Sequence, residues 1–180
     1  MSLTDLSGTF VLDPTHSTIS FVTRHAMVTK VRGSFTEFSG QAVIDKDDRS
    51  SFELKVDVNV ASVDTRNADR DAHLRSADFF DAETFPAMTF VGTSYEIKGD
   101  VVEITGDLTI RDVTRSITIP FEYGGTAKDP FGNTRVGIEG SVQVQRSDFG
   151  LTWNAALRPA ASSSPTRSPL SLRSPAIQQA

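Results

Sequence analysis

Apolar and polar residues alternate along most of this chain with a period of two. Phe52, Leu54, Val56, Val58 and Val60 are separated by Glu53, Lys55, Asp57 and Asn59. Val102, Ile104, Leu108 and Ile110 alternate with Glu103, Thr105, Asp107 and Thr109, and similar runs cover Ile117–Tyr123 and Val136–Val144. One dry face and one wet face per segment is the pattern of a half-buried antiparallel strand. Long strands are expected at about 17–25, 30–45, 52–60, 87–98, 101–111, 115–125 and 132–147, with a short one at about 9–13. Lys98-Gly99-Asp100 reads as a tight hairpin, Arg111-Asp112-Val113-Thr114 as a short one, and Asp129-Pro130-Phe131-Gly132-Asn133 as a longer loop.

Strands of this length, joined mainly by hairpins, favour closure into a barrel, which removes the exposed edges. Gly33, Gly40, Gly106 and Gly140 lie inside strand patterns, where glycine permits a bulge or the bend of a barrel wall. A barrel of eight strands is about the size whose interior either fills with side chains or holds one small ligand. The expected fold is therefore all-β, with one short helix at about 66–76, where alternation stops and good helix formers follow Asp64 or Thr65 as N-cap.

The tail breaks the pattern. Four prolines fall between Arg158 and Pro175, and no acidic residue follows Asp148. That composition alone reads as a disordered tail. A second reading is a frame error. GC-rich codons for Glu-Thr-Gly-Gly-Val-Leu-Val-Ser-Asp-Lys-Val-Thr, read one base later, give the residues at 158–169; 173–175 fit a shifted Glu-Val-Ser. On that reading the domain spans 1–180, and the segment from about 164 to 178 is the eighth strand.

Composition narrows the function. The net charge of −5 gives no basic footprint for nucleic acid. No apolar run is long enough for a membrane-spanning helix, and the opening residues lack a basic and then apolar leader, so a cytoplasmic location is expected. The chain has no cysteine. His16, His25 and His73 have no metal-ligand spacing, so no metal site is expected. No nucleophile elbow, phosphate-binding glycine loop or other catalytic signature is present. His16, after Asp13-Pro14-Thr15, reads as a structural hydrogen-bonding residue. His25, ending an apolar strand, fits either a structural role or contact with a ligand head group at a barrel mouth. Arg70, Asp71 and His73 read as anchors of the helix.

Asp13-Pro14-Thr15-His16-Ser17, Ile19-Ser20-Phe21 and Gly33-Ser34-Phe35 resemble the opening of the YceI-like family. Arg70-Asp71-Ala72-His73-Leu74, Asp78-Phe79-Phe80-Asp81, Phe85-Pro86 and Phe90 resemble its most recognisable stretch, and Gly106–Thr114 and Arg146–Leu151 extend the likeness over about 9–157. The resemblance implies a lipocalin-like eight-stranded barrel whose long internal tunnel takes an isoprenoid chain, either a polyprenyl phosphate or an isoprenoid quinone. It also implies a homodimer, as family members often are.

Burying a five-carbon unit yields on the order of 4 kcal/mol gross, at about 0.8 kcal/mol per CH₂. Such a chain therefore needs few polar contacts. The candidate lining comprises Phe21, Phe35, Phe52 and Leu54 from the first half, then Phe79, Phe80 and Phe90, and then Ile104, Leu108, Ile119, Phe121 and Trp153. His25 is the candidate for the head group. No cofactor is expected beyond a non-covalently held lipid. The leading expectation is a carrier or storage protein. The alternatives are an enzyme acting on that lipid through His25 or His73, and an assembly module with a filled barrel.

Overall fold

The computed structural model describes residues 3–25, 29–130, 132–153 and 167–179, with 24, 25, 29 and 167–179 described by backbone alone. Among these residues eleven strands form one antiparallel sheet that closes on itself. They are β1 (Gly8–Leu12), β2 (Thr18–His25), β3 (Thr29–Phe35), β4 (Phe38–Ile44), β5 (Glu53–Asn59) and β6 (Val63–Asp64). The remainder are β7 (Ala87–Lys98), β8 (Val101–Ile110), β9 (Val113–Lys128), β10 (Thr134–Gln145) and β11 (Arg167–Gln179). Three pairs are interrupted single staves: β1 runs on into β2, β3 into β4, and β5 into β6. Counted this way, the sheet is the expected barrel of eight staves. It closes where β11 lies between β10 on one side and β1 and β2 on the other.

The interruptions have identifiable causes. The segment expected as one strand at 30–45 breaks at Thr36 and Glu37, which bend aside to bond Ser62: Thr36 donates to its carbonyl, and the Glu37 N–H to its hydroxyl at 3.0 Å. Between β1 and β2 the chain turns around Asp13. Its buried carboxylate accepts from the Thr15 N–H at 3.0 Å and hydroxyl at 2.6 Å, and from Arg135 Nη1 at 2.7 Å; His16 Nδ1 lies 2.7 Å away. These partners hold the Asp13 carboxyl far below the usual carboxylate range. Arg135 also reaches Asp129, so one cluster ties the β1–β2 joint to the β9–β10 loop. His16 thus has the structural role expected of it.

The helix α1 (Ala68–Arg75) begins slightly later than expected, and its N-cap is neither Asp64 nor Thr65. Asn67 caps it, accepting from the Arg70 N–H at 2.9 Å. Asp64 is occupied with the Arg66 N–H, and Thr65 is buried beneath the helix, donating to Asp71 from both backbone and hydroxyl. Arg70 donates back to Thr65, and Arg75 to the carbonyls of Ala61 and Val63. Hydrogen bonds from charged side chains therefore fix this mostly polar helix across one end of the barrel, where Phe35, Val63, Ile110, Phe149 and Leu151 are buried.

Candidate functional site

Along the axis the inner faces of the staves enclose an apolar cavity of about 260 Å³. Its walls come from alternate positions of each strand: Phe52, Leu54, Val56 and Val58 from the third stave, and Ile104 and Leu108 from β8. In β7 the inner parity changes partway. A bulge at Thr93 shifts the register, so that Met88 and Phe90 face inward before it and Tyr95 and Ile97 after it.

The space stays open because large rings lie flat on glycines of neighbouring strands. A methyl group at Gly140 would stand 2.4 Å from Cδ1 of Phe121, and one at Gly106 would stand 2.7 Å from Cζ of Phe90. Phe52 lies in the same way against Gly92. At Gly140 a Cβ would meet only the Phe121 ring, which would have to swing toward the axis, whereas at Gly106 it would also stand 2.4 Å from the Val91 carbonyl oxygen. The glycines therefore set the bore as well as the bend of the wall.

The two ends differ. Among the described residues the helix end is closed by the buried layer under α1. At the other end the one-turn 3-10 segment Leu3–Asp5 lies across the opening and buries Leu3 and Leu6 against Phe10 and Val136. Leu3, Thr4 and Leu6 line the cavity with Lys46 and Arg49 of the β4–β5 loop and with Gln41. This is the polar end. Tyr95 packs on Phe52 with ring centroids 4.9 Å apart, and the Arg49 guanidinium lies over Tyr95 at 5.6 Å.

Of the residues expected to line the interior, Phe52, Leu54, Phe90, Ile104, Leu108, Ile119 and Phe121 do so. The others lie elsewhere. Phe35 is buried in the sealed end between Phe21 and Phe80, with ring centroids 5.7 and 5.8 Å away. Phe79 and Trp153 form an outer cluster with His73, whose ring is 4.5 Å from Trp153 and whose Nε2 is 3.0 Å from Asp78. Trp153 is 37% exposed and does not touch the cavity. The His25 side chain lies outside the described residues, as does the tail between 154 and 166. Among the described residues no cluster of His, Asp or Glu is arranged to hold a metal.

Sequence reasoning missed the opening, Leu3, Leu6, Lys46 and Arg49, and part of the wall, including Met88, Tyr95 and Ile97. The Leu3-x-x-Leu6 spacing before a strand is the one local signal that marks the first pair, since three residues bring both leucines to one side of a single helical turn.

Comparison with known proteins agrees with this architecture. The YceI-like domain family matches residues 10–167. A UPF0312 protein of Pseudomonas aeruginosa (strain LESB58) is 39% identical over 136 residues, 76% of this chain and 71% of that protein. The crystal structure of the Campylobacter jejuni YceI protein superposes with a TM-score of 0.73 at 31% identity, covering 87% of this chain and 90% of the other. A polyisoprenoid binding domain from Saccharophagus degradans shares the fold, with a TM-score of 0.72 at 16% identity over 94% and 98% of the two chains.

Proposed function

This chain belongs to the YceI-like family, and from that premise we propose that it binds a long-chain isoprenoid lipid in its axial cavity and carries or stores it. The observation that supports this reading most directly is an interior of about 260 Å³ walled almost entirely by hydrocarbon, with its charged side chains at one end only. An apolar space of that kind stays dry and gains by taking up an apolar guest. The description of a fold neighbour as a polyisoprenoid binding domain points the same way.

Size gives the proposal a scale. A dry cavity of about 150 Å³ takes benzene, so at the same ratio this one takes about ten carbons, or two isoprene units. A longer chain needs more room, and the removable occupants are the side chains of Leu3 and Leu6 at the open end. Tail uptake then displaces the N-terminal turn, and the turn covers the cavity when it is vacant.

Organic extraction of the purified protein followed by mass spectrometry tests the proposal. The expected result is a stoichiometric polyprenyl compound. Extracts that are clean from every expression host, together with failure of the delipidated protein to bind any prenyl probe, would refute it.

A further inference from the structure

We infer that the outer face of the β2–β3 hairpin docks on an anionic membrane surface. The inference goes beyond tail binding and rests on that reading only for its choice of partner, since the cargo proposed for the cavity is a lipid that resides in bilayers. The net charge of −5 conceals an uneven distribution. From Pro14 to Thr36 the chain carries Arg24, Lys30 and Arg32 and no acidic residue.

The sheet leaves the far half of this hairpin as a ribbon of two strands. β11 pairs with β2 only as far as Phe21, and β6 pairs with β3 only at Ser34 and Phe35. Beyond those positions, among the described residues, 22–25 and 29–32 pair with each other alone. Phe35 is buried, and a Cβ at Gly33 would meet the Phe21 ring, so these two positions of β3 face inward. By alternation Arg32 and Lys30 face outward, and both are exposed. Arg24 occupies the register position directly opposite Lys30, and the half-buried Val22 stands opposite Arg32.

Like charges directly opposed across two strands are destabilising, and a two-stranded ribbon is only marginally stable by itself. Elsewhere on the barrel lysines stand beside carboxylates: Lys46 by Asp47, Lys55 by Asp57, and Lys98 by Glu96 and Glu103. Among the described residues no carboxylate pairs with Lys30 or Arg32. A diffuse negative surface supplies the missing counter-charge. Long, flexible basic side chains suit such a surface, and their stems, with Val22, offer hydrocarbon to the headgroup layer. Nucleic acid demands a broader basic footprint than three cations on an acidic molecule. Because the cations stand on the flank of the ribbon, docking lays the barrel on its side and leaves the opening beside Leu3 and Leu6 uncovered.

Vesicle flotation tests the inference. Full-length protein is mixed with phosphatidylcholine vesicles, with or without about 30% phosphatidylglycerol, at about 50 mM and about 500 mM salt. Binding to the anionic vesicles should exceed binding to the neutral ones about tenfold at low salt and fall to the neutral level at high salt. Lys30→Gln/Arg32→Gln should lower the anionic partition about tenfold or more, since each basic residue held at such a surface is worth roughly fivefold. Lys55→Gln/Lys128→Gln makes the same change in net charge away from the hairpin and should stay within about twofold of the wild type. All four positions are exposed, so both variants keep the fold, which a thermal melt verifies. Equal binding to the two vesicles, no binding to either, or equal losses from the two variants would overturn the inference. Tighter binding to duplex DNA or to polyglutamate at the same salt would overturn it by making the partner a different polyanion. A Lys30→Gln/Arg32→Gln protein that aggregates yet binds anionic vesicles as the wild type does would overturn it too, assigning the cations to guarding the ribbon's free edges. Flotation and prenyl extraction are read separately, so failure of either leaves the other result standing.

Discussion

Gly140→Ala is the sharpest test of how the interior is kept open. Gly140 lies on the inner face of β10, and the Phe121 ring of β9 is laid across it. An added methyl would stand 2.4 Å from Cδ1, 2.6 Å from Cε1 and 2.9 Å from Cγ of that ring. Carbon atoms pack best at about 3.5–4.0 Å, so the ring must retreat by about 1 Å. Behind Phe121 is the strand; in front is the cavity, so the retreat is toward the axis. Displacing one ring face by that amount removes room for about two carbons of a bound tail, worth about 1.5 kcal/mol or roughly tenfold in Kd. The fold should lose about 1–3 kcal/mol from overpacking. Titration of the delipidated variant with farnesol, beside a thermal melt, measures both. Adding Phe121→Leu to the alanine variant should restore affinity, because the smaller side chain vacates the same space. A folded Gly140→Ala protein with unchanged farnesol affinity would refute the claim that the ring bounds the tail's space.

Two further outcomes follow from the clasp and the plug. Because the folded-state pKa of Asp13 is depressed, its stabilising contribution is complete above the ordinary carboxylate pKa and is lost as pH falls below about 4; Asp13→Asn should cost about 2 kcal/mol at neutral pH and flatten the acid limb of a denaturation-versus-pH series, and a variant with the wild-type pH profile would exclude this carboxylate as the acid-sensitive group. Leu3→Ala/Leu6→Ala should weaken the cover over the opening, speeding probe release several-fold in stopped-flow chase experiments while costing about 1–3 kcal/mol of stability; unchanged release would show that the tail leaves by another route.

The wall of the barrel was legible in the sequence because burial on one face imposes a period of two, and that period survives in Phe52–Val60, Val102–Ile110 and Ile117–Tyr123 whatever the tertiary contacts. Depth along the axis leaves no such mark. Phe35 and Phe121 alternate equally well, yet Phe35 lies in the packed layer under α1 and Phe121 beside open space. Phe79, Phe80 and Trp153 come from irregular segments, where hydrophobicity says only that a side chain is sheltered somewhere. Phe80 is sheltered inside by Phe35, while Phe79 and Trp153 shelter one another outside. The opening was invisible for a related reason: Leu3, Leu6, Lys46 and Arg49 meet only because β1 pairs with both β4 and β11. The parity change at Thr93 also hid Tyr95 and Ile97, since strict alternation from Phe90 would have placed them outside.

The closing strand permits one more deduction from register. In β11, positions 168, 170, 172, 174 and 176 stand opposite Val144, Val142, Gly140, Ile138 and Val136 of β10, and directly opposed residues share a face. The chain as written places Ser168 and Ser174 in this otherwise apolar series, and puts Pro169 opposite Gln143 and Pro175 opposite Gly137. Proline removes a ladder hydrogen bond and belongs on edges, whereas β11 has neighbours on both sides. The alternative frame replaces both serines with valine, replaces the prolines with threonine and serine, and retains Leu170, Leu172 and Ala176. It yields an apolar residue at every one of the five positions and a polar one at each position between them. Peptide sequencing by mass spectrometry across 158–175 of protein from the native gene should therefore find valine at 168 and 174 and no proline; proline at 169 and 175 in that peptide would refute the frame shift.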